Sequence, residues 1–212
     1  VGSTQSTAGP NFVLNTIVAD VLAEIADELE KADDVKTSAQ QILSKIAKDH
    51  SRVIFNGDNY NDNWVKQAAQ RELPNIPSTV ESLCSIMEKE NVDVFQRQGV
   101  LSEKELAART EILLEAYSMQ INIEAETTLL ITSRQILPAC IEYAGKVAAS
   151  LKNVNQTGLA CESQKLKLDK ICSLINQLDQ DSQELEDAVL KAADIEDFKE
   201  QAKCYRDLVI KK

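Results

Sequence analysis

Few residues in this chain have the type and spacing that chemistry needs. There is one histidine, His50, next to Ser51. A nucleophilic triad would need an acid at a matching spacing, and none is suggested. A cation is favoured near a helix C-terminus, so His50 is read as a surface residue closing a helix. The run Asn56-Gly57-Asp58-Asn59-Tyr60-Asn61-Asp62-Asn63 looks at first like a calcium loop. An EF-hand needs Gly at the sixth position and Glu at the twelfth, and counting from Asp58 these are Asn63 and Ala69. The run is better read as a turn that ends in a helix cap. The glycines never cluster, so no phosphate cradle is built. Carboxylates are plentiful, notably Glu124 with Glu126 and the run from Asp179 to Asp187. Residues two apart on a helix diverge, which is the wrong geometry for a shared metal or an acid/base pair. Asn122 and Glu124 interrupt an apolar stripe, and they are expected to cap or bridge neighbouring helices. No catalytic, cofactor-binding or metal-ligating residue is assigned in this chain.

The elements that carry these residues are expected to be helices. Hydrophobic residues make up 43% of the 212, whereas Gly (6) and Pro (4) are scarce and aromatics are only 4%. All-β folds need many turn residues, so this composition points to long helices with aliphatic interiors. The fold class predicted is all-α: a multi-helix bundle with long antiparallel helices and a coiled-coil-like C-terminal segment. The formal net charge of −11 argues against a nucleic-acid partner and against acidic membrane surfaces. The five cysteines, Cys84, Cys140, Cys161, Cys172 and Cys204, are odd in number and lack a Cys-x-x-Cys pair. Reduced thiols in a cytoplasmic protein are therefore expected. No apolar run reaches the ~20 residues of a membrane span. The first residues carry no signal-peptide pattern and no initiator Met, which suggests a piece of something longer. In a cytoplasmic protein the sequon Asn155-Gln156-Thr157 is read as chance.

Along the chain, residues 1–10 read as a loop ending in Gly9-Pro10. Leu14, Ile17, Val18, Val21, Leu22, Ile25 and Leu29 then recur at helical spacing and form one wide apolar face. A second helix is predicted from Thr37 to Asp49, with Ile42, Leu43 and Ile46 inward. Arg52-Val53-Ile54-Phe55 is the one short β-like run. Asn61 or Asp62 is placed to cap a helix at Trp64. Ser78 with Glu81, and Ser102 with Glu105, spell capping boxes. The first opens a helix to about Lys89, followed by a short one to Gln98. The second opens a helix with no breaker until Pro138, which should kink or restart it. Its inner stripe is read as Leu106, Leu113, Tyr117, Ile121, Thr128 and Ile131. After a turn at 153–158, Leu168, Ile171, Ile175, Leu178, Leu185, Val189 and Ala192 alternate by three and four. A final helix is predicted from about Asp194 past Lys212.

Several stretches taken jointly resemble a known family. Residues 8–19 (Ala-Gly-Pro-Asn-Phe-Val-Leu-Asn-Thr-Ile-Val-Ala) are similar to the segment just after the last catalytic strand of type III glutamine synthetases. Residues 53–60 with Trp64, then 111–117, 121–127 and 136–139, resemble that family's later landmarks in the same order. The likeness runs to about residue 143. Thr110 and Glu126 depart from it, standing where an aromatic and an apolar residue are expected. The resemblance implies a parent enzyme that uses ATP and divalent metal (Mg2+ or Mn2+) to join ammonia to glutamate. It implies catalytic residues upstream, and hence no cofactor in this fragment. It also implies two partners: the upstream catalytic domain of the same chain, and other subunits of a homo-oligomeric ring. Residues 1–10 would be the exit loop from the catalytic domain. Residues 11–152 would be the helical region with the family motifs, and 153–212 a C-terminal helical hairpin continuous with it. The alternative is a free-standing helical interaction module.

Overall fold

The computed structural model describes residues 6–58 and 60–211. The five residues at the start of the predicted exit loop and the last residue of the predicted final helix lie outside these. The described residues form α-helices without a strand. Contacts group the chain into two units, residues 1–110 and 111–212.

The first unit holds α1 (Ala8–Leu29), α2 (Val35–Asp49), α3 (Asp62–Gln70), α4 (Thr79–Ser85), α5 (Lys89–Arg97) and the start of α6 (Glu103–Ile131). Helix α1 begins inside the stretch read as a loop. Pro10 falls in its first turn, where a missing N–H costs no hydrogen bond. Asp34 starts α2 by accepting from the Lys36 N–H, and Asn61 starts α3 by accepting from the Trp64 N–H at 3.1 Å. The Ser102 box closes reciprocally: Glu105 accepts from the Ser102 N–H at 2.8 Å, and Ser102 Oγ accepts from the Glu105 N–H at 3.3 Å. Gly99, at φ +63°, takes the left-handed turn that follows α5.

The β-like run at 52–55 forms no strand. Residues Ser51–Val53 make a single 3-10 turn, because an extended run without a partner strand leaves its carbonyls unpaired. The Arg71 guanidinium supplies the missing donors, reaching the carbonyls of Ile54 at 3.0 Å and Arg52 at 3.3 Å. The core of this unit is Val92 and Phe95 of α5 with Leu106 of α6, against which Phe12, Val13, Ile86, Met87 and Leu101 pack.

The second unit holds the rest of α6, α7 (Leu137–Asn155), α8 (Glu162–Ala193) and α9 (Phe198–Cys204). Pro138 restarts the helix, as its type suggested: α7 begins at Leu137 with Pro138 in its first turn. The backbone widens into a π turn at Thr132–Ile136, and the Leu137 N–H donates to the Thr132 carbonyl five residues back. A π turn of this kind gives the proline ring room and absorbs its missing donor. Asp197 caps α9 by accepting from the Glu200 N–H at 2.8 Å. The final helix therefore begins later than Asp194, and it ends in a second π turn, Tyr205–Val209.

The three–four stripe of α8 packs within the chain, against α7 and against the C-terminal helix. Leu185, Ala188, Val189 and Ala192 are buried with Ala125, Tyr205 and Val209. Leu168, Ile171, Ile175 and Leu178 are half-buried, while Leu174 and Leu190, off the stripe, are exposed.

Three helix faces differ from expectation. On α2, Leu43 is exposed. On α6, Leu113, Thr128 and Ile131 point to solvent, and the buried positions are Leu106, Thr110, Leu114, Ser118 and Ala125, with Thr132 of the π turn next in line. That face is rich in small and hydroxyl residues, which permit close approach, so apolar character alone picked the wrong side. On α1, the wide apolar face is the exposed one, and Thr16 and Asp20 are buried instead.

Candidate functional site

Two polar clusters join helices, one around Asp20 and one around Asn122. On α1, Asp20 accepts from Arg97 Nε at 2.9 Å, Arg97 Nη2 at 2.6 Å and Gln98 Nε2 at 2.8 Å. Thr16 on the same face satisfies its hydroxyl by donating to the Phe12 carbonyl at 2.7 Å. The Arg97 hydrogen bonds first, and the Gln98 amide second, hold the Asp20 carboxyl below its ordinary 3.8. A carboxyl depressed in the folded state adds stability above its unfolded pKa, and loses it as pH falls through the folded value. Asp20→Asn should therefore lower the melting temperature at neutral pH by a few degrees, since Arg97 is half exposed and screened. The gap between parent and variant should close as the pH is taken below 3.8. Thermal melts across that range check this, and a gap independent of pH would contradict it.

The Asn/Asp loop is braced by an aromatic clasp. Phe55 and Trp64 stack with ring centroids 4.2 Å apart. The Arg71 guanidinium lies 5.8 Å from the Phe55 ring and 5.7 Å from the Trp64 ring. Gly57 sits against Phe55 so closely that a Cβ there would come within 2.8 Å of the ring. Asp58 accepts from the Tyr60 N–H at 2.9 Å. Asp58 thus serves the turn, and Asn61 the cap of α3, as their types suggested. The clasp was not legible in the sequence, although an Arg seven residues after a lone Trp was a usable hint. His50 closes α2 at its C-cap.

Asn122 is a bridge. Its Oδ1 accepts from the Tyr205 hydroxyl at 3.0 Å, and its Nδ2 donates to Glu126 at 2.9 Å. The buried phenol is pushed above its ordinary 10.0 by burial first and by the Glu126 charge second, so it remains a donor. Glu124 bridges nothing across helices and accepts from Gln120 at 2.9 Å along its own helix. The acidic run of α8 is laced in the same way, with Gln177, Gln180 and Gln183 donating to Asp181, Glu184 and Asp179. Such i,i+4 pairs line a solvated helix face.

The five cysteines are free thiols. Cys161 stands at the N-cap of α8, and contact with Ser163 first, then the Gln164 N–H, holds its thiol below the ordinary 9.0. Asn155 and Thr157 of the sequon lie at the end of α7, where the Thr157 hydroxyl donates to the Val154 carbonyl at 2.7 Å. An open depression lies beside them, lined by Lys146, Ser150, Val154 and Leu159 among others. Among the described residues no three His, Cys, Asp or Glu side chains converge to hold an ion, and no helix is long and apolar enough to cross a membrane.

What stands out is apolar surface. On α6, Ile112, Met119, Ile123 and Leu130 are each 47–62% exposed. With Ala116 and Glu126 they recur by four and three, the spacing of a coiled-coil seam. This seam lies on the side of the helix opposite Leu114, Ser118 and Ala125. Glu126 is its one polar member, its carboxylate held by Asn122.

Known proteins fit this picture. Residues 38–155 match the profile of a family described as glutamine synthetase C-terminal domain. The chain is 40% identical over 158 residues to a type-3 glutamine synthetase of Dictyostelium discoideum, covering 73% of this chain and 21% of that protein. It is 34% identical over 111 residues to a glutamine synthetase of Butyrivibrio fibrisolvens, covering 52% of this chain and 16% of that protein. A glutamine synthetase of Bacteroides fragilis (strain YCH46) is 24% identical over 218 residues, which is 98% of this chain and 30% of that protein. The chain thus spans between 16% and 30% of the length of these relatives.

Proposed function

Since the chain belongs to the glutamine synthetase family through that family's C-terminal domain, we propose that it is the C-terminal helical portion of a type III glutamine synthetase, structural rather than catalytic. The parent enzyme makes glutamine from glutamate and ammonia at the expense of ATP, and works in the cytoplasm. ATP and Mg2+ or Mn2+ are held by parts of the enzyme outside this chain. This reading is supported by the described residues, among which no three His, Cys, Asp or Glu side chains come together as ion ligands, and by Glu124 and Glu126, each of which accepts from an amide along α6. The role of this portion is to support the catalytic part and to contact other subunits in a homo-oligomeric ring.

The observation that carries the assembly role is the outward seam of α6. It is complementary to itself. In an antiparallel pair centred on Ile121, Ile112 meets Leu130, Met119 meets Ile123, and Glu126 meets Ala116. The smallest seam residue thus faces the one charged residue and leaves it headroom. A seam of this kind suits a two-fold contact between copies. The non-catalytic role is tested by γ-glutamyl transfer. Residues 1–212 purified alone should show no turnover, while the full-length protein is active; clear turnover by residues 1–212 would refute the reading.

A further inference from the structure

Helix α1 is inside out. Its polar residues Thr16 and Asp20 are 3% and 7% exposed, whereas Leu14, Ile17, Val18, Val21 and Leu22 are 45–60% exposed. These five aliphatic side chains recur at helical spacing and form one continuous stripe. A stripe of this kind, left in water, marks a place where something docks.

The helix cannot hide the stripe by rolling about its own axis. Asp20 is fixed to Arg97 and Gln98 on the buried side by three hydrogen bonds. Turning the aliphatic face inward would break these and strand a carboxylate. Phe12 and Phe95, with ring centroids 6.0 Å apart, pin the first turn in the same orientation. The outward face is therefore held outward by specific contacts.

We infer that the occupant of this face is the polypeptide preceding α1 in the same synthetase subunit, presenting a complementary aliphatic surface; this rests on the reading above. One observation favours that occupant over a second copy: the matched profile is a C-terminal domain, and the chain covers only 21% of the Dictyostelium relative and 30% of the Bacteroides one, so most of such a protein lies before it. A preceding segment reaches this face by intramolecular docking, at a high effective concentration that a separate molecule lacks.

The test uses the full-length protein with a photoreactive benzoylphenylalanine replacing Leu22. Irradiation should give a cross-link to a residue before α1 within the same chain, migrating at monomer mass on a denaturing gel. A cross-link that joins two chains at dimer mass, to any segment, would overturn the proposal in favour of a subunit contact. A second measurement avoids the bulky probe. Val18→Cys and Lys48→Cys are compared in full-length protein by maleimide labelling, read peptide by peptide in a mass spectrometer. Both positions are open to solvent in this structure. A covered α1 face should slow labelling at position 18 by ~10-fold or more relative to position 48, because thiol reactivity follows access. Equal rates would overturn the proposal. Failure of the functional reading is separately visible: the intact mass of the encoded protein shows whether a synthetase polypeptide precedes α1 at all.

Discussion

Val189→Asp is expected to abolish cooperative folding of residues 111–212. Val189 is 7% exposed, and its cluster is Ala125, Leu185, Ala188, Ala192, Tyr205 and Val209. Those neighbours surround it with hydrocarbon and the Tyr205 ring. A carboxylate there loses its water without gaining a partner, so it must either take up a proton or drag the helix out of the core. An uncompensated buried charge costs about 3–5 kcal/mol, a large share of the 5–15 kcal/mol that holds a typical domain together. Val189→Ala should be milder, about 1.5–3 kcal/mol, since it removes only buried hydrocarbon. Circular dichroism melts separate the two: the aspartate variant should lose its sharp transition, the alanine variant should keep it at lower temperature. If both melt like the parent, the stripe of α8 is not buried in solution.

Ile123→Glu in the full-length enzyme is expected to take the assembly apart without unfolding the subunit. Ile123 is 59% exposed within the chain, so a charge there has water available until a second copy covers it. In the proposed antiparallel arrangement each contact would contain position 123 twice, opposite Met119 of the other copy, so one substitution would introduce two buried carboxylates. A central hot-spot residue of an interface costs about 2 kcal/mol or more when lost, so the dissociation constant should rise ~30-fold or more. Light scattering should report a smaller particle while the helical spectrum is unchanged. Leu190→Glu is the control. That residue is 62% exposed on α8 and lies off the α6 seam, so its charge should leave the particle size alone. An unchanged mass for Ile123→Glu would remove the α6 seam as a subunit contact.

The helical character of the chain was legible because it is decided locally. The Ser102–Glu105 box closes both of its hydrogen bonds, and Asn61 caps α3, because these bonds span three residues and need no neighbour. The α8 stripe was legible for a related reason. Its apolar residues occupy one side only, so the periodicity names the buried face as well as the helix. The Arg71 clasp and the Asn122–Tyr205 bond were not legible. They join residues 17 and 83 positions apart, and sequence spacing carries no information about such pairs.

By itself, then, the sequence determined that this protein is helical, where most helices begin, and which family it resembles. Tertiary structure alone decided which sides of α1 and α6 are covered. Periodicity sets the angles between side chains on one helix, but burial depends on what lies beside that helix. On α6 apolar residues occur nearly all round, so Leu114 and Ala125 go inside while Ile112 and Ile123 stay out, for want of a second neighbour within the chain. On α1 a carboxylate finds an arginine and a glutamine from α5 and the residue after it. Those hydrogen bonds hold the polar side in and leave five aliphatic side chains facing out.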